Sequence, residues 1–476
     1  MLEKTKILEA IDYIRELGVD YGDIRVKDIN TEEIRAENGQ LKGLSSNRSL
    51  GAGIRIYANG AMGFAASSDL DDLKTLALLA YNTALASSKL LEDTALLSPK
   101  EPAQAEYSTK IEIDPFAVPL ADKIALLMEC NSIMGSVAGI SNYSAMMDFR
   151  REHVIFADTD GSCIDQIFYQ SGGHLSALAM GKDDTQCRSY GNIWRAGYET
   201  IKILDLPKYA RIIAEEVVEL ATAEPCPMGE FDIILMPTAM QLQIHESVGH
   251  PTELDRVLGS EAAFAGASFV KPEDMNGLKY GSEHVTIVAD GMADKGLGTF
   301  AYDDEGVPAS RTVIVEKGIF KNFLTSRDNA TVVKQNSGGM GLSDGWGNLP
   351  IVRMTNINIE PGDFTLDELI SGIEYGFLLD ANKSWSIDDL RINFQFACEV
   401  AREIRDGKLS GKIFKNPTYT GITTDFWGKC DGVCNADFRQ MIGVPNCGKG
   451  QPMQIMRVAH ASQPTRFRKA RLVTGG

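Results

Sequence analysis

The chain of 476 residues is longer than one hydrophobic core usually fills, so we expect two domains. Its composition, with 44% hydrophobic and 24% charged residues, is that of a globular protein. A formal net charge of −18 argues against nucleic-acid binding, because the phosphate backbone would be repelled.

The sequence also argues against membrane insertion and secretion. It has no run of about 18 apolar residues, and its N-terminal segment is charged throughout, unlike a signal peptide. The eight cysteines are scattered along a long chain, where thiols or metal ligands are more common than a disulfide framework. We therefore expect a cytoplasmic protein.

The N-terminal half predicts helices combined with antiparallel strands. Apolar residues at helical spacing predict a first helix over residues 2–18. Alternating segments then predict an antiparallel meander, with Asn38-Gly39 and Asn59-Gly60 as its turns. More strand-like segments extend to about residue 195. Further helices are predicted over about residues 69–88, 118–135 and 207–222.

A stretch rich in proline, residues 223–237, predicts a domain boundary. We expect an N-terminal α+β domain, residues 1–225, with an antiparallel sheet and helices. Residues 226–476 would form a β-rich catalytic domain that carries one metal-binding helix. Within it, VEKGIFKNFL and REIRDGKLSGKI have the form of hairpins with Lys-Gly and Asp-Gly turns. The fold class is therefore α+β.

Residues 243–254, QIHESVGHPTEL, contain two histidines and a glutamate in an unusual spacing. The familiar zinc-protease motif has its histidines four residues apart, whereas His245 and His250 are five apart. On a regular helix these two side chains would point about 140° apart and could not share a metal. Thr238 and Gln241 have the form of a capping box that starts this helix.

The residues after the motif suggest how the histidines could still meet. Proline disfavours the helical conformation of the residue before it, and glycine commonly ends helices. We therefore predict that the helix ends at Gly249 and that His250 lies on the following turn, before Pro251. Thr252 and Asp255 then predict the start of a new helix. The alternative to a metal ligand is a histidine at the end of the helix that is capped by its neighbours.

The motif has the chemistry of a catalytic zinc site. Zinc accepts neutral imidazoles and takes three protein ligands at a catalytic centre. Glu246 has the chemistry of a general base toward a metal-activated water. The third ligand must come from elsewhere, and the candidates are the cysteines and His153, His174, His284 and His460.

Three cysteines near the C-terminus allow two interpretations. One is a separate structural metal site formed by Cys430, Cys434 and Cys447, although the spacing between Cys430 and Cys434 is unusual for zinc. Alternatively, Cys447 is a single ligand on a glycine-rich turn and the other two are ordinary thiols. The residues alone leave both interpretations open.

Some charged residues are candidates for substrate binding. Arg311 and Arg353 could bind a substrate carboxylate, and a structural salt bridge is the alternative for each. Asp303, Asp304 and Glu305 form an acidic cluster that we predict to be a solvated turn. His284 falls in a predicted strand, where a structural role is expected.

The stretch HESVGHPTELD, followed far downstream by VPNCGKGQP, resembles the TldD side of the TldD/PmbA family of metalloproteases. The resemblance covers nearly the whole chain, since the segments TIVADG, LPIVRMTNINIEPG and NGQLKGLSSNRSLGAGIRIYANGAMGFAASSDL also fit. Two departures are Pro251, where glycine often follows the second histidine, and a short CGKGQP segment.

The resemblance implies a zinc ion bound by His245, His250 and Cys447, with Glu246 as the base. It also implies a homodimer, or a heterodimer with a PmbA-like subunit that lacks these ligands. The expected function is hydrolysis of peptide bonds in short or unfolded polypeptides. The alternatives are a non-enzymatic partner protein, as the older naming of the family as gyrase modulators suggests, or another metal-dependent amidohydrolase.

Overall fold

The structure is a computed structural model that describes residues 4–91 and 96–474. The first two residues of the first predicted helix and the last two of the chain therefore lie outside the described residues. The same holds for a short part of the segment between the second and third predicted helices.

The N-terminal half combines helices with long strands. Their bounds are α1 Lys4–Glu16, β1 Tyr21–Glu37, β2 Gln40–Ala58, β3 Ala61–Ser67, α2 Leu73–Ser87, β4 Gln104–Ser108, α3 Leu120–Gly135, β5 Ile140–Asp158, β6 Cys163–Met180, β7 Thr185–Trp194, α4 Glu199–Leu204 and α5 Leu206–Thr222. The four helices predicted in this half are thus confirmed as α1, α2, α3 and α5.

One sheet organises this half. Its strands follow the order β3-β2-β1-β5-β6-β4, and β7 pairs with β6. The pairing is antiparallel except between β4 and β6. The predicted turns Asn38-Gly39 and Asn59-Gly60 are confirmed, because all four residues have the positive φ that a tight hairpin turn requires. Helices α1 and α2 cover one part of the sheet, and α3 and α5 cover another.

The C-terminal half is mostly strands. Their bounds, with those of the helices, are β8 Gly229–Leu235, α6 Pro237–Ile244, α7 Leu254–Val257, β9 Ile287–Asp290, β10 Arg311–Glu316, β11 Ile319–Phe320, β12 Gly341–Leu342, β13 Ile351–Val352, β14 Ile357–Ile359, α8 Leu366–Ser371, β15 Tyr375–Ile387, β16 Asn393–Arg405, β17 Lys408–Lys415, β18 Thr418–Ile422, α9 Thr423–Gly428, β19 Cys430–Val433, β20 Gln440–Lys449, β21 Gln454–Ser462 and β22 Thr465–Val473. The predicted hairpins are confirmed as β10–β11 and β16–β17.

The main sheet of this half closes on itself. Its order is β15-β8-β22-β18-β16-β17, and β15 also pairs with β16, which completes a circuit of five strands. A large apolar core fills the space around it and includes Trp427, Phe467 and Tyr280. The hairpin β20–β21 stands apart from this sheet as a two-stranded unit. The antiparallel N-terminal sheet and this β-rich half confirm the predicted α+β class.

The acidic cluster is buried rather than solvated, so that prediction is wrong. Asp303, Asp304 and Glu305 are 2%, 8% and 1% exposed. Backbone N–H groups bind Asp303, while Lys27 and Arg55 of the N-terminal sheet pair with the other two. A buried carboxylate needs such partners, and here the N-terminal half supplies them. No local pattern in the sequence indicates this contact, because the partners lie some 250 residues away.

We keep the division into residues 1–225 and 226–476 as a proposal. Helix α5 ends at Thr222 and β8 begins at Gly229, so the predicted boundary falls in the segment that connects them. Among the described residues, none of the helices is long and apolar enough to cross a membrane.

Candidate metal centre

The HESVGH motif lies on a widened helical turn. Helix α6 ends at Ile244, and His245–Gly249 form a π-helical turn in which the His250 N–H donates to the His245 carbonyl. Residues five apart therefore occupy neighbouring positions, as residues four apart do on an α-helix. The backbone of His250 stays helical, with φ −61° and ψ −42°. The predicted end of the element at Gly249 is confirmed, whereas the prediction that His250 leaves the helical conformation is wrong.

Pro251 contributes to this geometry in a way that the sequence argument missed. A proline within a helix leaves the carbonyl four residues earlier without its N–H donor. That carbonyl belongs to Ser247, and the buried hydroxyl of Tyr280 donates to it. Pro251 is the second residue of a short 3₁₀ turn, His250–Thr252. The chain thus stays helical through the motif because a distant tyrosine satisfies the released oxygen.

The start of α6 also differs from the prediction. The N-cap is Met236, Pro237 takes the first helical position, and the cap makes no side-chain hydrogen bond. The hydroxyl of Thr238 instead donates to the carboxylate of Asp380 on β15. The predicted capping box with Gln241 is therefore wrong, whereas the predicted helix is confirmed.

Three side chains converge at this turn. His245, His250 and Cys447 are buried, and one donor atom of each lies within 4.8 Å of the other two. The His250 Nε2 and Cys447 Sγ atoms are 3.8 Å apart. A tetrahedral zinc with one sulfur and two nitrogen ligands holds its donor atoms roughly 3.3–3.6 Å apart. The three residues therefore fit a divalent metal of this kind after a small adjustment.

His245 is held in the tautomer that a metal needs. The Nδ1 of His460 lies 2.9 Å from the Ile357 carbonyl, which can only accept, so His460 carries its proton there. Its Nε2 then accepts from the His245 Nδ1, 2.8 Å away. Burial lowers the pKa of His245 and holds the pKa of His460 well below its ordinary value, so both rings are neutral. The His245 Nε2 is left with a free lone pair.

A carboxylate orients His250 in the same way. Its Nδ1 donates to Glu253, 2.9 Å away, which leaves Nε2 to face Cys447. Burial alone would raise the pKa of Glu253, but the charges of Lys449 and His250 hold it well below its ordinary value. Arg256 pairs with the same carboxylate at 3.2 Å. Carboxylates behind ligating histidines are a common feature of zinc sites.

Cys447 reaches the cluster on the β20–β21 hairpin. The prediction that Arg353 contacts substrate is not supported, because this side chain is fully buried and donates to the carbonyls of Cys447 and Gln454 on the two strands. Burial would raise the pKa of the Cys447 thiol, yet the charges of Arg353 and His250 bring it below its ordinary value. A thiolate is the form that binds metals. Arg353 therefore holds the two strands of the hairpin together at Cys447, and its charge favours the thiolate form.

Glu246 lies beside the cluster and pairs with a residue that the sequence argument missed. Its Oε2 accepts from the Arg391 guanidinium at 2.9 Å. Burial would raise the pKa of Glu246, but the neighbouring His250 and Arg391 groups bring it below its ordinary value, so the carboxylate is ionised. Its Oε1 has no hydrogen-bond partner among the described residues. Arg391 has φ +64° in the loop between β15 and β16.

The other predicted candidates lie elsewhere. Arg311 pairs with Glu360 at 2.9 Å beside a separate cavity, as the salt-bridge alternative predicts. His284 is exposed on a turn rather than in a strand. Cys430 and Cys434 are buried thiols outside the cluster, and burial raises the pKa of each to about 12. The remaining histidines lie on the N-terminal sheet at His153 and His174.

The sequence contained a partial signal for the supporting residues. Glu253 follows His250 by three residues, a spacing that brings side chains together on a helical turn. His460 was among the third-ligand candidates, and the structure places it behind His245 instead. Arg391, Arg353 and Lys449 had no local signal, because each comes from a different strand or loop.

Three family domains match the chain. They are PmbA/TldA metallopeptidase domain 1 over residues 22–84, the central domain over residues 113–223 and the C-terminal domain over residues 228–452. Together they cover most of the sequence, including the motif and Cys447.

Named relatives match over similar lengths. The chain is 30% identical over 457 residues to a metalloprotease of Methanocaldococcus jannaschii, covering 94% of this chain and 96% of that protein. It is 26% identical over 457 residues to a metalloprotease TldD homolog of Buchnera aphidicola, covering 94% and 92%. A zinc metalloprotease TldD homolog of Saccharolobus solfataricus is 25% identical over 266 residues, which is 54% of this chain and 57% of that protein.

Solved structures share the fold. A Thermotoga maritima protein described as a candidate modulator of a DNA gyrase superposes with a TM-score of 0.80 at 16% identity, covering 98% of this chain and 99% of that one. TldE of Thermococcus kodakarensis gives 0.74 at 18% identity, covering 99% and 100%. The domain matches and the relatives together mean that the chain belongs to the PmbA/TldD family and is a metalloprotease.

Proposed function

We propose that this metalloprotease is a zinc-dependent peptidase, with His245, His250 and Cys447 as its ligands and Glu246 as its general base. The observation that carries the proposal is the convergence of the three donor atoms within 4.8 Å beside an ionised carboxylate. Two imidazoles and a thiolate suit zinc, and the relative named a zinc metalloprotease supports that metal.

The buried position of the site favours short or unfolded polypeptides as substrates. His245, Glu246 and His250 are only 5–7% exposed, so the surface of a folded protein could not reach them. An extended chain can enter such a site one residue at a time. We therefore expect peptides and unfolded segments to be cleaved, and folded proteins to be spared.

Different residues would perform the separate steps of peptide hydrolysis. Bound zinc supplies Lewis-acid activation of water and of the peptide carbonyl. Glu246 takes the proton of the attacking water on its free Oε1, while Arg391 holds Oε2 in place. The same carboxylate can then return the proton to the departing amine. Glu253 and His460 keep the two ligand histidines in their tautomers.

The test compares hydrolysis with metal content. We expect the zinc-loaded protein to cleave unstructured peptides and to leave a folded protein of the same composition intact. Glu246→Gln should lower kcat by about 10²–10⁴-fold, the usual contribution of a general base, without loss of zinc. Glu273→Gln, an exposed carboxylate, is the matched control. Full activity of Glu246→Gln would contradict the role of the base, and cleavage of non-peptide amides alone would indicate another amidohydrolase.

We also propose that the protein works as a dimer in the cytoplasm, either with itself or with a PmbA-like subunit. The structural likeness to TldE, a protein of the same family, supports a partner of this kind. The eight free cysteines support a reducing compartment. Light scattering of the purified protein, alone and mixed with a PmbA-like chain from the same genome, would distinguish the two dimers from a monomer.

A further inference from the structure

A cavity of about 260 Å³ lies between the N-terminal sheet and the C-terminal half. One wall comes from β5 and β6 and from Arg195, which follows β7. The opposite wall includes Pro445 and Met456 of the β20–β21 hairpin, and Met456 is the strand partner of Cys447. The hairpin that brings Cys447 to the metal centre therefore also forms one side of this cavity.

Most of the charges around the cavity are balanced. Four basic side chains line it, and three of them form ion pairs with carboxylates. The pairs are Lys27 with Asp304 at 2.7 Å, Arg150 with Glu152 at 3.0 Å and Arg457 with Asp148 at 2.6 Å. Asp344 also lines the cavity, and one of its carboxylate oxygens accepts from a backbone N–H.

Arg195 is the fourth basic residue, and it forms no direct ion pair among the described residues, although the charge of the Glu152 carboxylate acts on it. Its Nε and Nη2 donate to the Leu297 carbonyl, and its guanidinium lies 4.3 Å from the centre of the Phe168 ring. The buried Nη1 has no hydrogen-bond partner. Burial lowers the pKa of Arg195 to about 10, so the group stays charged at neutral pH. A desolvated guanidinium that makes no direct ion pair is incompletely compensated, and an anion in the cavity that binds its free N–H would relieve this.

Much of the remaining lining is apolar, and the volume of the cavity limits the size of a ligand. Phe168, Leu297, Phe300, Ile455 and Met456 surround the charged groups. The volume is slightly below that of pockets for drug-sized molecules, which is about 300–1,000 Å³. It suits one or two residues of a peptide and is too small for part of a folded domain.

We propose that this cavity is a substrate subsite, in which Arg195 binds a carboxylate of the peptide and the apolar lining receives the neighbouring side chain. The carboxylate comes either from the C-terminus of the peptide or from an acidic side chain. The proposal rests on the peptidase function proposed above and adds a substrate class to it. Guanidinium binds carboxylates through paired, charge-assisted hydrogen bonds.

The test measures binding separately from hydrolysis. Calorimetry is carried out on the full-length, zinc-loaded Glu246→Gln protein with a tripeptide that ends in leucine, as the free acid and as the amide. A second pair of amidated peptides contains glutamate or glutamine. We expect at least one carboxylate peptide to bind about tenfold more tightly than its neutral counterpart, as one charge-assisted contact implies.

Substitution of Arg195 should remove this preference selectively. Arg195→Gln is expected to weaken binding of the carboxylate peptide about tenfold and to leave binding of the neutral peptide unchanged. Arg195→Lys should keep part of the preference for the carboxylate. Arg211→Gln, on the exposed surface of α5, should behave as the unsubstituted protein does. Whichever pair shows the preference identifies the source of the carboxylate.

Two outcomes would overturn the proposal. One is equal binding of the charged and neutral peptides by the protein with Arg195 intact, a result that does not depend on how the variants fold. The other is an equal loss of affinity for both peptides in an Arg195→Gln protein that circular dichroism shows to be folded. A third outcome separates the two proposals. If carboxylate peptides bind preferentially but the zinc-loaded protein with Glu246 unsubstituted hydrolyses no peptide, the proposed function is overturned while the carboxylate site is supported.

Discussion

Each ligand histidine has a partner that fixes its proton. His245 donates to His460, whose own proton is held by a backbone carbonyl, and His250 donates to Glu253. Both arrangements engage Nδ1 and leave Nε2 as the ring atom that can bind a metal. The proposed metal site is therefore preorganised by residues that would not themselves bind the metal. Such partners commonly change metal affinity by 10–100-fold.

His460 provides the clearest test of this preorganisation. His460→Ala removes the acceptor for the His245 Nδ1 proton, so we expect zinc affinity to fall about 10–100-fold with all three ligands intact. Competition with a chromophoric chelator measures the change. His460→Gln, which can still accept a hydrogen bond, should recover part of the affinity. The exposed His284→Ala is the control, and unchanged affinity in His460→Ala would show that the partner has no role.

Glu152 makes a pH-dependent contribution to stability. Burial would raise the pKa of Glu152, but the charges of Arg150 and Lys27 bring it from an ordinary value of 4.5 to about 2. A carboxylate whose pKa is lower in the folded state stabilises that state at pH values above 4.5, its pKa in the unfolded chain. This contribution is lost as the pH falls from 4.5 to 2.

Glu152→Gln should therefore lower the free energy of unfolding by about 3 kcal/mol at pH 7. The difference from the unsubstituted protein should shrink below pH 4.5 and vanish near pH 2. Urea denaturation at a series of pH values measures it, with the exposed Glu215→Gln as the control. A difference that stays constant with pH would mean that the carboxylate charge is not responsible.

The widened turn is the element on which the metal centre depends, and the sequence did not predict it. The pattern of apolar residues correctly predicted a helix there, and Pro251 correctly marked an irregularity. The preferences of proline and glycine at helix ends could not show that the helix would continue as a widened turn. That outcome depends on Tyr280, some 30 residues away, which satisfies the carbonyl that the proline releases.

The turn also requires a glycine at position 249. A Cβ at Gly249 would lie 2.3 Å from the sulfur of Met354, which packs directly against the turn. Gly249→Ala should therefore lower the free energy of unfolding by about 1–3 kcal/mol and weaken zinc binding. Chemical denaturation and zinc titration measure the two effects.

Gly428→Ala, where a Cβ meets open space, is the matched control. The double variant Gly249→Ala/Met354→Ala should be less destabilised than the sum of the two single variants, because the clash is gone. Strict additivity would mean that Met354 does not restrict this position.

At the scale of the whole molecule, residues distant in sequence assemble the site. Cys447 follows His250 by almost 200 residues and reaches it on a hairpin that Arg353 holds. The residues alone left several candidates for the third ligand, and the family resemblance selected Cys447. Hairpins and helices were predictable because their signals are local, as with Asn38-Gly39. The buried contacts between the two halves were not, since ion pairs leave no local pattern.

The contact between the two halves contains buried ion pairs that should stabilise both. Arg55 on the N-terminal sheet pairs with Asp23 at 2.7 Å and with Glu305 of the C-terminal half at 2.8 Å. Arg55→Met removes the cation that pairs with Glu305 and leaves Asp23 with only the longer Arg25 contact of 3.6 Å, so we expect a loss of about 3–5 kcal/mol. Guanidinium denaturation measures it, with the exposed Arg48→Met as the control. A loss below about 1 kcal/mol, typical of surface pairs, would contradict the importance of this contact.

The central claim is that His245, His250 and Cys447 together hold one zinc ion. X-ray absorption spectroscopy at the zinc edge of the loaded protein tests it most directly, because sulfur and nitrogen ligands give different distances. We predict one sulfur at about 2.3 Å and two imidazole nitrogens at about 2.0–2.1 Å, with the sulfur contribution lost in Cys447→Ser. A zinc environment without sulfur, or one with several sulfurs, would contradict the claim.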